Sequence, residues 1–360
     1  MISIETGFDS HKYLDAQIQH IHDRMAAFDG PTIMEFGGKP FGDHHAERVL
    51  PGYEADCKAT ILSYLMPVGK IAMAVNARDI LMPEHGRKPV GRYRGDSGLR
   101  YDDETVRLIL KARTFGFTVD DVVVTITPTN LSDEDKRIFR TFDETLAFEG
   151  VRVQYQDEIF GYPSESVLAQ DPNPLKAHAS IREEGKHLII FSPGGGSGKF
   201  GIVLREICHA LDNQVGPNFI KFETFPVYAL PADHALDLAF EAATADLRNK
   251  VVSLSSGPVA TDVLTSYDKD IENFRLLYAV ARRYGMNVPS PVHEMYDPTA
   301  MGVNRIVDGI TRMDIIINAC RLEIQRRVQR YTRDVQEGKE YQETVDSTRQ
   351  ILESFRRKYE

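Results

Sequence analysis

Six short apolar runs alternate with stretches of helical period over the first 250 or so residues, and this alternation constrains the fold more than any other feature of the chain. The runs cover 32–36, 70–75, 121–126, 151–155, 187–192 and 219–222. Helical patterns at 10–28 (behind an Asp9/Ser10 cap), 55–64, 103–114, 132–148, 199–212 and 234–248 fit between and around them. A strand that is apolar almost throughout must be covered on both faces, and a helix between successive strands returns the chain to a parallel neighbour. The expected class is α/β: a mostly parallel, doubly wound sheet over residues 1–255, followed by a helical domain over 256–360.

The fifth run leads into the most specific local signal. His187-Leu188-Ile189-Ile190-Phe191-Ser192 enters Pro193-Gly194-Gly195-Gly196-Ser197-Gly198-Lys199-Phe200, and the helical pattern Ile202, Val203, Ile207, Ala210, Leu211 leaves it. Glycines let a backbone turn sharply and approach an anion. The first amides of the following helix direct unpaired N–H groups and a positive dipole end at it. A phosphate-binding loop has the form G-x-x-x-x-G-K-[ST]; here Pro193 takes the first glycine position and Phe200 the magnesium-binding hydroxyl position. The same segment also spells G-x-G-x-x-G from Gly196 to Gly201, with Glu223 about 20 residues on, where a dinucleotide fold would hold a ribose. A flexible turn is the plain alternative to both.

Composition narrows the classes. The chain has 360 residues, 42% hydrophobic and 27% charged, with a net charge of -10, which fits a soluble globular protein and argues against general nucleic-acid binding. Three dispersed cysteines, Cys57, Cys208 and Cys320, with no C-x-x-C pair and no signal-like N-terminus, suggest a reduced, cytoplasmic setting. No apolar run is long enough to span a bilayer. The segment 326–360 is charged, with sparse apolar anchors Val335, Tyr341, Val345, Ile351 and Phe355, a pattern that suits a solvated face or a homo-oligomer arm.

In open parallel sheets, ligands gather outside the carboxyl ends of the strands. Those ends supply Glu35 and Lys39 after the first run, Asn76 after the second, and Glu223 and Thr224 after the sixth. Asp43, His44 and His45 follow the first run. Adjacent histidines diverge, so a shared metal ion is disfavoured there, and a hydrogen-bonding or general-base role for one of them competes with a plain surface role. Arg94 and Asp96 lie in a glycine-rich stretch suited to an anion-binding lid, and Glu241, Thr244 and Asp246 share a helix. No G-x-S-x-G elbow is present.

Several strings together resemble the domain-of-unknown-function 1846 group of bacterial proteins. They are Gly7-Phe8-Asp9; Glu35-Phe36-Gly37-Gly38-Lys39; Arg48-Val49-Leu50-Pro51-Gly52; Arg94-Gly95-Asp96; Gly161-Tyr162-Pro163-Ser164; Gly196-Ser197-Gly198-Lys199; Lys221-Phe222-Glu223-Thr224-Phe225-Pro226; Glu241-Ala242-Ala243-Thr244-Ala245-Asp246-Leu247; and Met301-Gly302-Val303-Asn304. The resemblance implies an α/β part, a helical part and, in typical members, a further C-terminal α/β domain that this chain is expected to lack. It also implies that Pro193 and a non-hydroxyl residue at Phe200 are family features. It assigns no reaction.

The expectation is therefore a nucleotide-dependent enzyme, transferring a phosphoryl group or activating a small-molecule substrate with ATP or GTP and Mg2+. Pro193, Gly194, Gly195, Gly196, Ser197, Gly198, Lys199 and Phe200 form the binding loop. Lys199, Asp43, His45, Arg48, Arg94 and Glu223 are the candidate catalytic residues. Glu35, Lys39, Asn76, Asp96, Thr224 and Glu241 are candidate substrate contacts, and Glu223 with Asp246 is a candidate magnesium site. The alternatives are an anion-binding sensor or scaffold oligomer, and an enzyme of a phosphorylated metabolite or a dinucleotide.

Overall fold

The structure, a computed structural model, describes residues 5–81, 98–168, 171, 173–248, 250–254, 264–285 and 287–360. The glycine-rich stretch with Arg94 and Asp96 lies outside them.

The described elements, in chain order, are α1 (Ser10–Ala26), β1 (Thr32–Phe36), α2 (His44–Val49), α3 (Cys57–Leu65), β2 (Gly69–Asn76), α4 (Ala77–Ile80), α5 (Tyr101–Thr114), β3 (Asp121–Thr127), α6 (Asp133–Phe148), β4 (Arg152–Asp157), α7 (Glu165–Leu168), β5 (His187–Phe191), α8 (Lys199–Asp212), β6 (Asn218–Phe222), α9 (Ala235–Ala243), β7 (Val251–Leu254), β8 (Leu264–Tyr267), α10 (Asp268–Gly285), β9 (Gly302–Val303), α11 (Ile306–Gly309), α12 (Met313–Gln336) and α13 (Gln342–Tyr359). Local chemistry explains many of the ends. Asp9 caps α1, Ser132 and Asp135 form a capping box at α6, and Asn76 caps α4.

The sheet is seven-stranded in the order β4-β3-β2-β5-β1-β6-β9, and every pairing in it is parallel. From β1 the chain moves to β2, β3 and β4 on one side; it then returns to β5, between β2 and β1, and crosses to β6 on the other side. Right-handed crossovers in opposite directions put their helices on opposite faces. The buried residues divide accordingly. Met34, Phe36, Met73, Val75 and Phe222 join α1, α3, α5, α6, α9 and α12 in one cluster, while Ile33, Ala72, Ile190 and Phe219 join α8 and α10 in the other. Phe36 and Phe222 stack across β1 and β6 with ring centroids 4.2 Å apart.

Two features depart from the sequence expectation. A strand from the C-terminal part, β9, pairs with β6 at the sheet edge, although its two residues, Gly302 and Val303, carry no strand periodicity. The 326–360 segment does not form one arm. It breaks after Gln336, with Gly338 at φ +70°, and α13 folds back on α12 and α9, burying Val345, Ile351 and Phe355 within the chain. Among the described residues no helix is long and apolar enough to cross a membrane.

Candidate functional site

The reversal of winding direction between β2 and β5 is where connections to the two faces part, and ligands of open α/β sheets lie in such a crevice. The loop from β5 to α8 crosses it. Gly196 and Gly198 adopt positive φ, +74° and +77°. A Cβ on Gly198 would stand 2.6 Å from Thr125 Oγ1, so only glycine lets the loop lie against β3. The loop is pinned from below: Thr125 Oγ1 donates to the Ser197 carbonyl at 2.6 Å, and Asn76 Nδ2 donates to the Gly196 carbonyl at 3.0 Å. A bulge between Val124 and Thr127, with Ile126 at φ +55°, adjoins the Thr125 contact.

No side chain caps α8 at Gly198. Lys199, the first helical residue, is buried and donates through Nζ to Ser192 Oγ at 3.0 Å; Ser192 Oγ in turn donates to the Gly194 carbonyl at 2.7 Å. Burial pulls the Lys199 ammonium below the ordinary lysine range, with the charge of Glu35 opposing the shift. Ser197 Oγ is buried without a hydrogen-bond partner. Phe200 leaves the loop altogether: it is core, edge-on to Phe219 with centroids 6.2 Å apart. Its side chain is placed for packing, not for holding a ligand.

Strand alternation brings further polar groups to the α8 face. Ile33 precedes Glu35 by two on β1, Ile190 precedes Ser192 by two, and Phe219 precedes Lys221 by two on β6, so the polar residue of each pair follows an apolar one onto the same face. Glu35 and Lys221 are register partners across β1 and β6. Lys221 is nevertheless claimed by other groups. Its Nζ bonds Asp270 of α10, meets Tyr267 Oη at 2.9 Å and lies 3.1 Å from Glu223 Oε1. Burial alone would lower the Lys221 pKa, but Asp270, Glu223 and Tyr267 together raise it well above the usual range. Glu223 also accepts from Tyr267 Oη at 3.1 Å and Tyr228 Oη at 3.4 Å, and burial raises its pKa despite Lys221. Glu35 Oε2 is left buried and without a partner. Tyr162, 40% exposed, lies within the electrostatic reach of Glu35 and Lys221.

The glycine pair after β1 accommodates this cluster. A Cβ on Gly37 would meet Glu223 Cγ at 2.7 Å, and one on Gly38, at φ +70°, would meet Lys58 Nζ at 2.4 Å. Lys58, from α3, binds Asp43 Oδ2 at 2.7 Å. Burial opposes ionisation of Asp43, yet Lys58 outweighs it and holds the carboxyl below its ordinary value. Asp43 also caps α2 through the Ala46 amide.

Other residues expected at the site are engaged elsewhere. Arg48 is bidentate on Glu323 of α12, at 2.7 and 3.2 Å, and His45 Nδ1 meets the same carboxylate at 3.4 Å with its ring beside Phe225 and Phe240. Asp246 accepts from Tyr331 Oη at 3.2 Å, while Glu223 is held by Lys221 and the tyrosines, so each carboxylate has partners of its own. Among the described residues no group of three or more His, Cys, Asp or Glu side chains could hold a metal ion. Glu241 lies half-buried on α9, its pKa raised by burial. Lys39 is half-buried, and Thr224 is buried where Asn304 Nδ2 bonds its carbonyl at 3.0 Å. An open groove of about 420 Å³ between α5 and α6, lined by Arg100, Arg137 and Phe142 among others, involves none of the strand-end residues.

Sequence reasoning missed Ser192, Thr125, Lys58, Tyr267 and Asp270. The period of two along β5 marks Ser192, and a lone lysine in the apolar run of α3 marks Lys58. Tyr267 and Asp270 come from a distant segment and carry no local signal.

Comparison with known proteins agrees with the resemblance. A family profile described as "Domain of unknown function DUF1846, N-terminal" matches residues 6–356. A UPF0371 protein of Streptococcus pyogenes serotype M5 (strain Manfredo) is 36% identical over 323 residues, which are 89% of this chain and 61% of the relative. A UPF0371 protein of Streptococcus uberis (strain ATCC BAA-854 / 0140J) shows the same identity and coverage. The chain thus spans about three-fifths of the length of these relatives.

Proposed function

Taking as premise that the chain belongs to the DUF1846 family, we propose that it is an enzyme whose β5–α8 loop holds a phosphate group of a nucleotide, in service of phosphoryl transfer or activation of a small molecule. The observation that carries this reading is the uncapped start of α8, with the buried Lys199 ammonium beside it and Ser197 Oγ unpartnered. Helix N-terminal amides, a hydroxyl donor and a cation together make an anion cradle. An arriving phosphate would draw Lys199 from Ser192 and take the Ser197 hydroxyl as a donor.

Glu223, held by two tyrosine hydroxyls and Lys221 with its pKa raised by burial, is placed to exchange a proton near neutral pH. Magnesium fits less well. With Phe200 in the core, the position after Lys199, where an ordinary phosphate loop carries the magnesium-binding hydroxyl, offers none, and the carboxylates are separately engaged. This favours, as a second reading, an enzyme acting on a phosphorylated metabolite, for which no metal cage is needed.

Calorimetry with ATP, GTP and inorganic phosphate, with and without magnesium, tests the assignment. Lys199→Ala is expected to weaken phosphate and nucleotide binding by at least about tenfold, one charge-assisted hydrogen bond being worth that much. Equal affinity in the variant and the wild type would remove the assignment.

A further inference from the structure

Among the described strand-end residues, the Glu35 carboxylate is the charged group with a buried oxygen that nothing satisfies; the Thr224 hydroxyl is buried and unpartnered as well. Glu35 is 7% exposed, and its Oε2 has no hydrogen-bond partner although its register partner is a lysine. Lys221 is turned away by Asp270, Tyr267 and Glu223, and Lys199 is turned to Ser192. A desolvated acceptor without a donor is costly to keep, and such atoms mark positions that a ligand or a fixed water completes. Ser197 Oγ, 4% exposed and equally unpartnered, is the matching donor on the loop side. Lys199, two residues after Ser197, feels Glu35 as its largest charge interaction.

Resting on the phosphate reading above, we propose that the ligand is a phosphorylated polyol: its phosphate sits on the turn of Ser197 and Lys199, and one of its hydroxyls donates to Glu35 Oε2. The donor Glu35 needs is a neutral one. Lys199 and Lys221 already place two ammonium groups in its field, so an amine would add a third cation, whereas a hydroxyl satisfies the lone pair without added charge. Glu223 lies where dinucleotide folds hold a ribose by a carboxylate, but both its oxygens already accept hydrogen bonds. Glu35, on the neighbouring strand, has an oxygen with no partner at all. The ribose of a nucleotide and a free sugar phosphate share this chemistry.

The test is calorimetry on the whole chain with methyl phosphate, ribose 5-phosphate and ATP as probes. The wild type is expected to bind ribose 5-phosphate or ATP about tenfold more tightly than methyl phosphate, the effect of one added hydrogen bond. Glu35→Met, which removes the acceptor while filling its space, is expected to erase that advantage, read within the variant as equal affinities for methyl phosphate and the polyol phosphate, whatever the lost charge does to both. Should Glu35→Met not fold, Glu35→Gln serves, with a partial loss expected. Dependence on Glu35 for ATP identifies a nucleotide ribose, and dependence for ribose 5-phosphate alone identifies a sugar phosphate. A variant that binds methyl phosphate and keeps the full polyol advantage overturns the inference but leaves the phosphate reading standing. A wild type that binds none of the three probes overturns both.

Discussion

Glu35 and Lys221 face each other as register partners on β1 and β6, yet the lysine is bound to Asp270, Tyr267 and Glu223 while Glu35 Oε2 has no partner. Neighbouring opposite charges in a sheet ordinarily pair. Here a residue from α10 has taken the lysine, and one oxygen of the Glu35 carboxylate is left without a partner. The stability of this arrangement rests on Lys221.

Lys221→Met is expected to destabilise the fold by about 3–5 kcal/mol, because Asp270 would remain buried and uncompensated. Adding Asp270→Asn is expected to recover part of the loss, since the pair acts as a unit. Urea unfolding of the two single variants and the double variant measures the coupling; strict additivity would contradict the pairing.

Glu323 ties α12 to α2 by accepting from Arg48, Arg326 and Arg327 and meeting His45. Burial favours its neutral form, but these partners outweigh burial and hold the carboxyl far below the ordinary range. A depressed folded pKa gives stability that is complete above the unfolded value, about 4.3, and is lost as pH falls below it. Glu323→Gln is expected to lower stability at neutral pH by about 3–5 kcal/mol, leaving the arginines facing one another, and to flatten the acid limb of the stability curve. Unfolding followed between pH 3 and pH 7, roughly the span in which carboxyls titrate, checks both effects.

Gly196 and Gly198 share a positive φ but not their surroundings. Gly196→Ala meets nothing within 4 Å and is expected to cost only the backbone preference, about 1–2 kcal/mol. Gly198→Ala adds a clash with Thr125 and is expected to cost more and to weaken phosphate binding as the loop lifts from β3. Denaturation paired with phosphate calorimetry separates them; equal effects would show that the Thr125 contact is not what fixes the loop.

Restoring the hydroxyl of an ordinary phosphate loop by Phe200→Ser is expected to fail as a gain of function. It would open a cavity beside Phe219 at a cost of about 3–5 kcal/mol. ATP affinity that became magnesium-dependent in this variant would show that position 200 faces the ligand after all.

The α/β class, the six strands and the helices between them were legible in the chain because each is a local periodicity, satisfied by burial wherever the element finally lies. The strand-to-helix turn at residues 193–199 was legible for the same reason: glycine, proline and lysine act on their own backbone. The role of Phe200 was not, since a helix start fixes its amides but not which way the second side chain packs. Nor could the chain pattern show that the charged 326–360 segment closes on itself, which depends on Val345, Ile351 and Phe355 finding α9 and α12.

Sequence by itself determined that Glu35, Lys199 and Glu223 reach the carboxyl edge of the sheet, from strand period and loop position; Ser192 and Lys221 lie on the same periods but were not singled out. Tertiary structure decided which of them are spent on one another. Asp270 and Tyr267, some fifty residues beyond Lys221, capture it and Glu223; Glu323 captures Arg48 and His45; and Glu35 and Ser197 keep unpartnered atoms. The physical reason is that burial makes every polar group seek a partner, while the identity of that partner depends on which distant segment the fold brings within about 3 Å.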